Sequence, residues 1–378
     1  MFQNIDKNKK ILVAMSGGVD SSVAAALLVE AGFDVTGAYM INYEERGMRN
    51  EEWEKNSEEN MGNICWVPDY RDALRVSAKL GIPLLKLDFQ KEYKEKVLDY
   101  MLAEYKKGNT PNPDVMCNKF IKFGVWLEKI QELGFDYIAT GHYAKVEARG
   151  MGNEEYKLMQ AKDDNKDQTY FLHQLNQEQL SKTLFPLGDY TKPEVRELAK
   201  KFDLPTATKE ESMGICFVGE LDMKEFLQRD LKKNPGEIVT ESGELIGEHE
   251  GLAFYTIGQR HIGVQSSQFG IKSDNKPLFV VAKNFEANQL VVGYEDSELL
   301  NKDEIDVDDI NWISGQIPVF PLKCTVRLRH RQALQEVIVE KNDNIYKLKF
   351  LNKQRAATSG QFAVFYKDGE CLGGGVII

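Results

Sequence analysis

Apolar runs alternate with amphipathic segments through the first half of the chain. The runs ILVAM (11–15), DVTGAYM (34–40) and PLLKLDF (83–89) have the content of buried strands. Between them, segments such as YRDALRVSAKLG repeat apolar residues at a helical spacing and stop at glycine. Strands that alternate with helices of this length predict a parallel sheet covered by helices on both faces.

Two further segments complete this half. YIATGHYAKVEA, residues 137–148, is predicted to be another strand. Residues 44–63 are polar, acidic and weakly periodic, and we interpret them as a mobile insertion loop.

The pattern changes after Cys216. Alternating or β-branched runs such as PLFVVAK, QLVVG, CTVRLRHR, QEVIVE and FAVFY are separated by turn sequences such as KNFEAN and KDGE. Short strands with such turns are typical of small antiparallel barrels. We therefore predict an α/β chain of three domains: a Rossmann-like domain with a parallel sheet (1–212), a small central β-rich domain (213–304) and a C-terminal antiparallel β-barrel (305–378).

From its composition we expect the chain to be cytoplasmic. It has 378 residues, 42% hydrophobic and 28% charged, with no apolar run long enough to span a bilayer. The N-terminus MFQNIDKNKK has no apolar core of a signal peptide. Five cysteines, an odd number without a C-x-x-C pair, argue against a disulfide framework and favour a reducing compartment.

Charge is distributed unevenly. From Asn311 to the C-terminus ten Lys/Arg stand against five Asp/Glu, a local net charge of +5. The net charge of the whole chain is −11, so the other 310 residues carry −16. A basic C-terminal module on an acidic body fits a polyanion bound along one face. The alternative is a solvated barrel surface that is basic without a partner.

The stretch ILVAMSGGVDSS joins the first strand to the first helix. Gly17 and Gly18 permit unusual backbone angles and close approach, and the following N–H groups point at an anion at the helix start. Ser16, Ser21 and Ser22 add hydroxyls. We interpret the turn as a phosphate cradle, without the lysine of a Walker A loop. The alternative is an ordinary helix capped by Asp20 or Ser21.

Two cysteines lie in loops. Cys117 in PNPDVMCN precedes a helix predicted to start near Lys119. A thiol at a helix start, with the Lys119 charge nearby, loses its proton more easily and becomes a nucleophile. Asp114, three residues earlier, could act there as a general base or hold a substrate N–H. Cys216 lies in the glycine-flanked loop SMGICFVG. A buried small hydrophobe is the alternative for each, and we prefer it for Cys324 and Cys371.

Several motifs together resemble one enzyme family. AMSGGVDSS resembles the signature of the PP-loop ATP pyrophosphatases, which cleave ATP between its α and β phosphates. With NTPNPDVMCNKFIKFG, YIATGHYA, NKDQTYFL, SMGICFVGE, GEHEGLAFYTIGQR and SGQFAVFYKDGECLGGG, the chain resembles the tRNA-specific 2-thiouridylase (MnmA/TrmU) family in order along nearly its whole length.

The resemblance implies a reaction. Such an enzyme binds tRNA, flips out the wobble uridine and adenylates its C2 oxygen with ATP and Mg²⁺. The expected destination of the flipped base is a pocket near Asn112, Pro113 and Asp114. A sulfur-relay protein or cysteine desulfurase loads a persulfide on one cysteine, here Cys216, and this sulfur replaces the activated oxygen. Cys117 would be the second catalytic thiol, acting through a Cys117–Cys216 disulfide or through released hydrosulfide. The implied acceptors are the tRNAs for Lys, Glu and Gln. A membrane is not expected as a partner.

The resemblance also implies site residues. Asp114 joins the two catalytic cysteines. The nucleotide would contact Ala14, Met15, Ser16, Gly17, Gly18, Val19, Asp20, Ser21, Met40 and Gly141. The tRNA would contact Asn112, Pro113, Asp114, His142, Lys166, Asp167, Gln168, Arg329, His330 and Gln361. The family often has tyrosine at the position of His330. No protein ligand to a metal is implied.

Two alternatives remain open. The first is a PP-loop tRNA thiolase that uses an iron–sulfur cluster, held by Cys65, Cys117 and Cys216 since C-x-x-C ligands are missing. The second is a non-catalytic tRNA-binding protein with a degenerate nucleotide fold, which an intact SGGVDS and two loop cysteines argue against.

Overall fold

The computed structural model of the chain describes residues 5–43, 66–149, 155–210, 223–260, 262 and 277–378. The predicted insertion loop (44–63) and the glycine-flanked loop with Cys216 lie outside the described residues, as does Cys65.

The first half contains seven described strands. They are β1 (Lys10–Ala14), β2 (Asp34–Ile41), β3 (Leu84–Asp88), β4 (Tyr137–Ala139), β5 (Lys145–Arg149), β6 (Glu155–Met159) and β7 (Thr183–Leu184). Five of them form a sheet in the order β3-β2-β1-β4-β7, and every pairing in it is parallel. The predicted parallel sheet is confirmed.

Ten described helices accompany the strands. They are α1 (Val19–Glu30), α2 (Val67–Leu80), α3 (Gln90–Tyr93), α4 (Asp99–Lys106), α5 (Pro113–Met116), α6 (Trp126–Glu132), α7 (Thr169–Leu172), α8 (Gln177–Ser181), α9 (Lys192–Lys201) and α10 (Met223–Asp230). Two π-helical segments, Lys94–Leu98 and Cys117–Val125, join α3 to α4 and α5 to α6. Apolar side chains from these helices pack on both faces of the sheet, in two separate clusters.

The segment 137–148 is not the single strand that its sequence predicts. It ends as β4 at Ala139, and β5 pairs antiparallel with β6 in a hairpin that joins another sheet. The break coincides with Gly141, where a Cβ would lie 2.7 Å from the backbone nitrogen of Ser21. Close packing on the start of α1 therefore turns the chain out of the parallel sheet.

The central part is built from two hairpins. Its strands are β8 (Gly236–Thr240), β9 (Leu245–His249), β10 (Phe279–Asn284) and β11 (Gln289–Gly293), in the order β10-β11-β8-β9. The hairpins meet through β8 and β11, which run parallel, so this sheet is not purely antiparallel as expected. Ile238, Val280 and Leu290 lie fully buried at its core.

The C-terminal part is a closed six-stranded barrel, as predicted. Its strands are β12 (Asn301–Trp312), β13 (Leu322–Arg327), β14 (Gln335–Asn342), β15 (Ile345–Arg355), β16 (Phe362–Lys367) and β17 (Glu370–Ile377). They pair antiparallel in the order β12-β15-β14-β13-β16-β17, and pairing of β12 with β17 closes the ring. The β5–β6 hairpin of the first half extends this sheet through β17.

The predicted strand CTVRLRHR is shorter in the structure. β13 ends at Arg327, and Arg331 has φ of 65°, a left-handed conformation that a strand does not contain. Arg329 and His330 therefore lie in a turn at the end of the barrel.

One buried histidine joins the α/β domain to the barrel. His173 is fully buried, its ring centroid lies 4.8 Å from that of Phe362, and its carbonyl accepts a hydrogen bond from Asn311 (2.9 Å). Burial lowers the pKa of His173 to about 3, although a hydrogen bond to the Tyr170 carbonyl opposes this shift. The ring is thus neutral in the folded protein at ordinary pH.

We expect acid to destabilise the protein through this residue. The unfolded chain binds a proton at His173 below pH of about 6.5 and the folded chain does so only near 3, so stability is lost as pH falls between them. The loss at pH 5 should be about 2 kcal/mol. Urea unfolding at pH 8, 6.5 and 5 measures it, and H173Q should flatten the pH dependence; an unchanged dependence would contradict the assignment.

Candidate active site

The loop after β1 leaves the sheet where its strand order reverses. The chain runs outward from β1 through β2 to β3, and on the other side from β4 to β7. Such a reversal opens a crevice at the carboxyl ends of the two central strands, which is where ligands bind in parallel sheets. Gly141, just beyond β4, packs against the start of α1, next to the Met15–Gly18 loop.

Glycine is required at position 17 for a steric reason. Gly17 has φ of 76°, and a Cβ there would overlap the backbone carbonyl of Asp69. Gly18 is different: it has φ of −90° and ψ of 167°, and the nearest heavy atom to its Cβ position is the Ser16 hydroxyl at 3.4 Å. The chain itself therefore does not demand glycine at position 18.

Gly18 is the N-cap of α1, not Asp20 or Ser21 as the capped-helix alternative required. Because glycine has no side chain, no N-cap oxygen accepts from the N–H groups of the first turn, which a helix leaves without intrahelical partners. The hydroxyls of Ser21 and Ser22 turn back and donate to the Gly18 carbonyl, at 3.2 and 2.7 Å. An anion at this end of α1 would therefore meet backbone N–H groups more than hydroxyls.

Two lysines reach this loop from distant parts of the chain, which the lysine-free motif did not indicate. Lys209 donates to the carbonyl of Gly17 at 3.1 Å and pairs with Asp69 and Asp72 at 2.7 and 2.6 Å. Burial works to lower the pKa of Lys209, but its hydrogen bonds to the two carboxylates outweigh burial and raise it. Lys209 is therefore a permanent cation that fixes the glycine turn.

The second lysine neutralises Asp20. Lys192, near the start of α9, lies 2.7 and 2.9 Å from the two carboxylate oxygens of Asp20, and the Tyr143 hydroxyl donates to the same carboxylate at 2.9 Å. The Lys192 side chain is 12% exposed. Lys192 thus offsets the negative charge of Asp20 in the first turn of α1, a charge that would otherwise oppose an anion at the helix start.

The other residues predicted to contact nucleotide are largely buried. Ala14, Met15, Val19 and Met40 are at most 8% exposed. The Met40 side chain packs in the apolar cluster on one face of the sheet. Ala14 packs in the same cluster, and Met15 and Val19 pack in the cluster on the other face.

Cys117 is buried beside the end of β2. It is 1% exposed, and the amide nitrogen of Asn42 lies 4.0 Å from its sulfur. Contrary to the prediction, it is not at a helix start, because α5 begins at Pro113 with Asn112 as its cap. The Lys119 ammonium donates a hydrogen bond to Gln174 at 2.8 Å. Its charge is therefore not directed at the Cys117 sulfur, contrary to the prediction.

A cavity of about 840 Å³ adjoins this region. Asn42, Tyr43 and Asp88 line it from the ends of β2 and β3, and Phe226 and Arg229 line it from α10. In the described part of the chain its walls do not include Asn112, Pro113 or Asp114, where the sequence predicted the pocket for a flipped base. Asp114 lies in the first turn of α5 and is partly exposed.

All three parts of the chain converge on the loop that leads to Cys117. Lys283 of the central part donates to the carbonyl of Gly108 (2.9 Å), and Thr110 contacts Thr256 through their hydroxyls (3.3 Å). From the barrel, Gln361 donates to the Thr110 carbonyl at 2.8 Å and accepts from Asn112 at 3.4 Å. Gln361, predicted to contact tRNA, therefore also holds this loop in position.

Asp167 forms a buried pair that the sequence did not indicate. Its carboxylate accepts from Arg327 at 2.6 Å, from the Thr169 hydroxyl at 2.8 Å and from the backbone of Ala161 at 3.1 Å, and it is 1% exposed. Breaking a buried pair of this kind typically costs about 3–5 kcal/mol. The Asp167 side chain thus joins the α/β domain to the barrel and does not face solvent.

Of the residues near Asp167 that were also predicted to contact tRNA, two make internal hydrogen bonds and one is partly exposed. Gln168 accepts from the backbone of Tyr143 at 2.9 Å, and Lys166 is partly exposed. His330 hydrogen-bonds the Asp167 carbonyl at 3.1 Å and packs 4.5 Å from the Phe171 ring; burial lowers its pKa.

His142 lies on the opposite side of the crevice from β2. Its Nδ1 is 2.7 Å from the Thr140 hydroxyl, and its ring lies about 6 Å from those of Phe123 and Phe185. Burial, with the nearby Lys122, holds the pKa of His142 well below its ordinary value. A neutral imidazole at this place can stack or hydrogen-bond but carries no charge.

Ion pairs neutralise much of the basic module. Five of its ten cations pair with carboxylates: Arg327 with Asp167, Lys347 with Glu304, Lys349 with Glu340, Lys353 with Glu298 and Arg355 with Glu295. Four of these partners precede Asn311, so the sequence count of +5 overstates the local field. Arg329 and Arg331 are exposed, and within the described residues neither makes an ion pair.

Two classes of feature are absent from the described residues. Among them, no three His, Cys, Asp or Glu side chains come together as a metal site. No helix in the described part of the chain has the length and apolar content to cross a bilayer.

Three family models match consecutive parts of the chain. A model described as tRNA methyl transferase HUP domain matches residues 9–220. Models described as tRNA methyl transferase PRC-barrel domain and as Aminomethyltransferase beta-barrel domain match residues 224–294 and 302–377.

Curated relatives match almost the whole chain. The tRNA-specific 2-thiouridylase MnmA of Bacillus cytotoxicus is 47% identical over 371 residues, covering 97% of this chain and 94% of that protein. The protein of the same name from Bacillus anthracis is 46% identical with the same coverage. The models and the relatives thus carry names of different reactions, methyl transfer and thiolation.

Solved structures are more remote. The chain is 18% identical to a 4-thiouridine synthetase solved with RNA and ATP, covering 58% of this chain and 50% of that one, with a TM-score of 0.33. The U34-tRNA thiolase NcsA of Methanococcus maripaludis, solved with a [4Fe-4S] cluster, is 19% identical, with coverages of 60% and 67% and a TM-score of 0.32. Likenesses this weak do not bear on function.

Proposed function

Because this chain belongs to the tRNA-specific 2-thiouridylase family, we propose that its crevice splits ATP to activate a tRNA uridine and that Cys117 takes part in replacing the C2 oxygen with sulfur. Membership makes the chain an enzyme, a sulfurtransferase that acts on tRNA and forms 2-thiouridine. The observation that carries the proposed roles is the glycine-capped start of α1, on the same edge of the sheet as Cys117.

The cradle suits the pyrophosphate part of ATP. Backbone N–H groups at the start of α1, with Lys192 beside them, would bind the β and γ phosphates and stabilise the charge that develops as pyrophosphate leaves. The uridine oxygen attacks the α phosphorus, and AMP is then the leaving group at C2. The nucleotide products are AMP and pyrophosphate.

Magnesium would enter with the nucleotide. Mg²⁺ is usually held by one or two carboxylates together with substrate phosphates, and Asp20 is the carboxylate of the cradle. Both Asp20 oxygens face Lys192, within 2.9 Å. Asp20 would hold the ion, which would supply neutralisation of charge on the nucleotide phosphates.

Burial supports a division of labour between the cysteines. Cys117 is 1% exposed, so a donor protein could not reach its sulfur directly. The persulfide would therefore be loaded on Cys216, by a sulfur-relay protein or cysteine desulfurase. Its terminal sulfur bonds C2, the Cys117 thiolate attacks Cys216 Sγ and breaks the S–S bond, and collapse to C2=S expels AMP. The resulting disulfide must be reduced by an external thiol.

Substrate tRNA is proposed to bind across the barrel turn and the crevice. Arg329, Arg331 and Lys166 are the exposed or partly exposed cations near His330, and we propose tRNAs for Lys, Glu and Gln as acceptors in the cytoplasm. Asp167 and Gln168 would act indirectly, by holding His330 and Tyr143 in place. Product analysis tests the proposal: ADP as the stoichiometric nucleotide product would refute the ATP chemistry.

Salt dependence tests the tRNA surface. R329A should weaken tRNA binding and flatten the slope of log affinity against log salt by about one, because one phosphate contact is lost. K349A is the matched control, because Lys349 is paired with Glu340 and should leave the slope unchanged. Filter binding of tRNA over a salt series measures both slopes. Equal slopes for R329A and the unmodified protein would exclude Arg329 as a phosphate contact.

A further inference from the structure

Asn42 has a buried side-chain amide that the hydrogen bonding of the preceding strand β2 does not explain. It follows the last residue of β2, is 2% exposed, and directs Nδ2 toward the sulfur of Cys117 at 4.0 Å. Its Oδ1 is buried and has no hydrogen-bond partner among the described residues. Burying an amide that is only half satisfied is unfavourable, so its presence calls for a role other than stability.

The surroundings of Cys117 define what that role can be. The cysteine packs in an apolar cluster with Val115, Ile121 and Trp126, all fully buried. An apolar environment disfavours a thiolate relative to a thiol. The charge of Lys119, the nearest lysine in sequence, is directed at Gln174. An N–H donor on the sulfur acts in the opposite direction, because a hydrogen bond to the charged form stabilises it.

We propose that Asn42 is a positioning residue that holds the sulfur of Cys117 in place and stabilises it as the thiolate. The Nδ2–H donates to sulfur, fixing its direction and favouring loss of the proton. This inference rests on the proposed function only for what the thiolate then does, namely attack Cys216 Sγ in the persulfide. The state of the thiol can be measured without any turnover.

Other groups around Cys117 also titrate and must be separated from Asn42. Cys117 begins the second π-helical segment, which packs against α3, the first π-helical segment, α5, α6 and α7. The titratable groups of these elements are Lys91, Glu92, Tyr93, Lys94, Glu95, Lys96, Asp114, Lys119, Lys122, Glu128, Lys129, Glu132 and Tyr170. A substitution at position 42 leaves all of them unchanged, so a change in the Cys117 titration can be assigned to the amide.

The experiment is a titration of Cys117 by ultraviolet thiolate absorbance. In each background the spectrum of the C117A variant is subtracted, which removes the other cysteines and the tyrosines. N42L keeps the size of the side chain and removes the donor, and we expect the midpoint to rise by about one pH unit, a roughly tenfold loss of thiolate at neutral pH. N42D places a negative charge at the sulfur and should raise the midpoint further.

The matched control is Asn118, a neighbouring buried amide. It is 3% exposed, its Oδ1 also has no partner among the described residues, and it donates to the Phe171 carbonyl at 3.3 Å instead of to sulfur. N118L should leave the Cys117 midpoint unchanged. If N42L and N42D both fold and the Cys117 midpoint is unchanged in both, the proposal is wrong. If N42L does not fold, the Cys117 midpoint in N42D alone tests the proposal. An unmoved midpoint with C117S inactive would refute the Asn42 role and leave the proposed function intact.

Discussion

C117S is expected to lose formation of 2-thiouridine by a factor on the order of a thousand or more, because removing the group that makes and breaks bonds has the largest single effect on an enzyme. Serine nearly matches cysteine in size, and Cys117 lies in a packed cluster, so the fold should persist. Hydrolysis of ATP to AMP should continue, because the cradle at the start of α1 is untouched.

Cys324 provides the control for this loss. It lies in the barrel strand β13, and burial raises the pKa of its thiol to about 12, so it is not a nucleophile at neutral pH. C324S should retain thiolation. Thiolated nucleosides from a tRNA digest measure both variants, with labelled sulfur tracing the persulfide to a peptide. Full activity in C117S would show that another thiol does the work assigned to Cys117.

G18V is expected to reduce ATP-dependent turnover by about a hundredfold or more while the protein remains folded. The backbone angles of Gly18 are open to any residue, and the nearest atom to its Cβ position is 3.4 Å away. The added methyl groups therefore meet the bound phosphates more than the protein. Loss of backbone contacts to the charge that develops on the leaving group accounts for the magnitude.

Gly17 separates this effect from misfolding. A side chain at Gly17 would overlap the Asp69 carbonyl and force a left-handed conformation, so G17V should lower the thermal midpoint as well as the activity. G18V should leave the thermal midpoint nearly unchanged. Release of AMP and a melting curve measure the two effects. Wild-type turnover in G18V would place the phosphates elsewhere than at the start of α1.

Local sequence determined most elements and the position of the cradle. The apolar run 11–15, the glycine pair and the helix that follows are specified by neighbouring residues, and the structure confirms the predicted sheet and barrel. The break of segment 137–148 could not be found this way. Its second half alternates as a strand should, and only the contact of Gly141 with α1 decides which sheet it joins.

Contacts between residues far apart in the sequence could not be predicted either. Arg327 is 160 residues from Asp167, and Lys192 is 172 residues from Asp20, so no spacing rule links them. The pairs explain two differences from the sequence analysis. The cradle has lysines although its motif has none, and the barrel carries less free positive charge than its composition indicates.

The most direct test of the account is a nucleoside and nucleotide analysis of one reaction. The protein is incubated with unmodified tRNA, ATP, Mg²⁺ and a persulfide donor, and mass spectrometry identifies the modified uridine while chromatography identifies the nucleotides. We predict 2-thiouridine at the wobble position, with one AMP and one pyrophosphate for each sulfur transferred. A methylated uridine, or thiolation accompanied by ADP, would contradict the account.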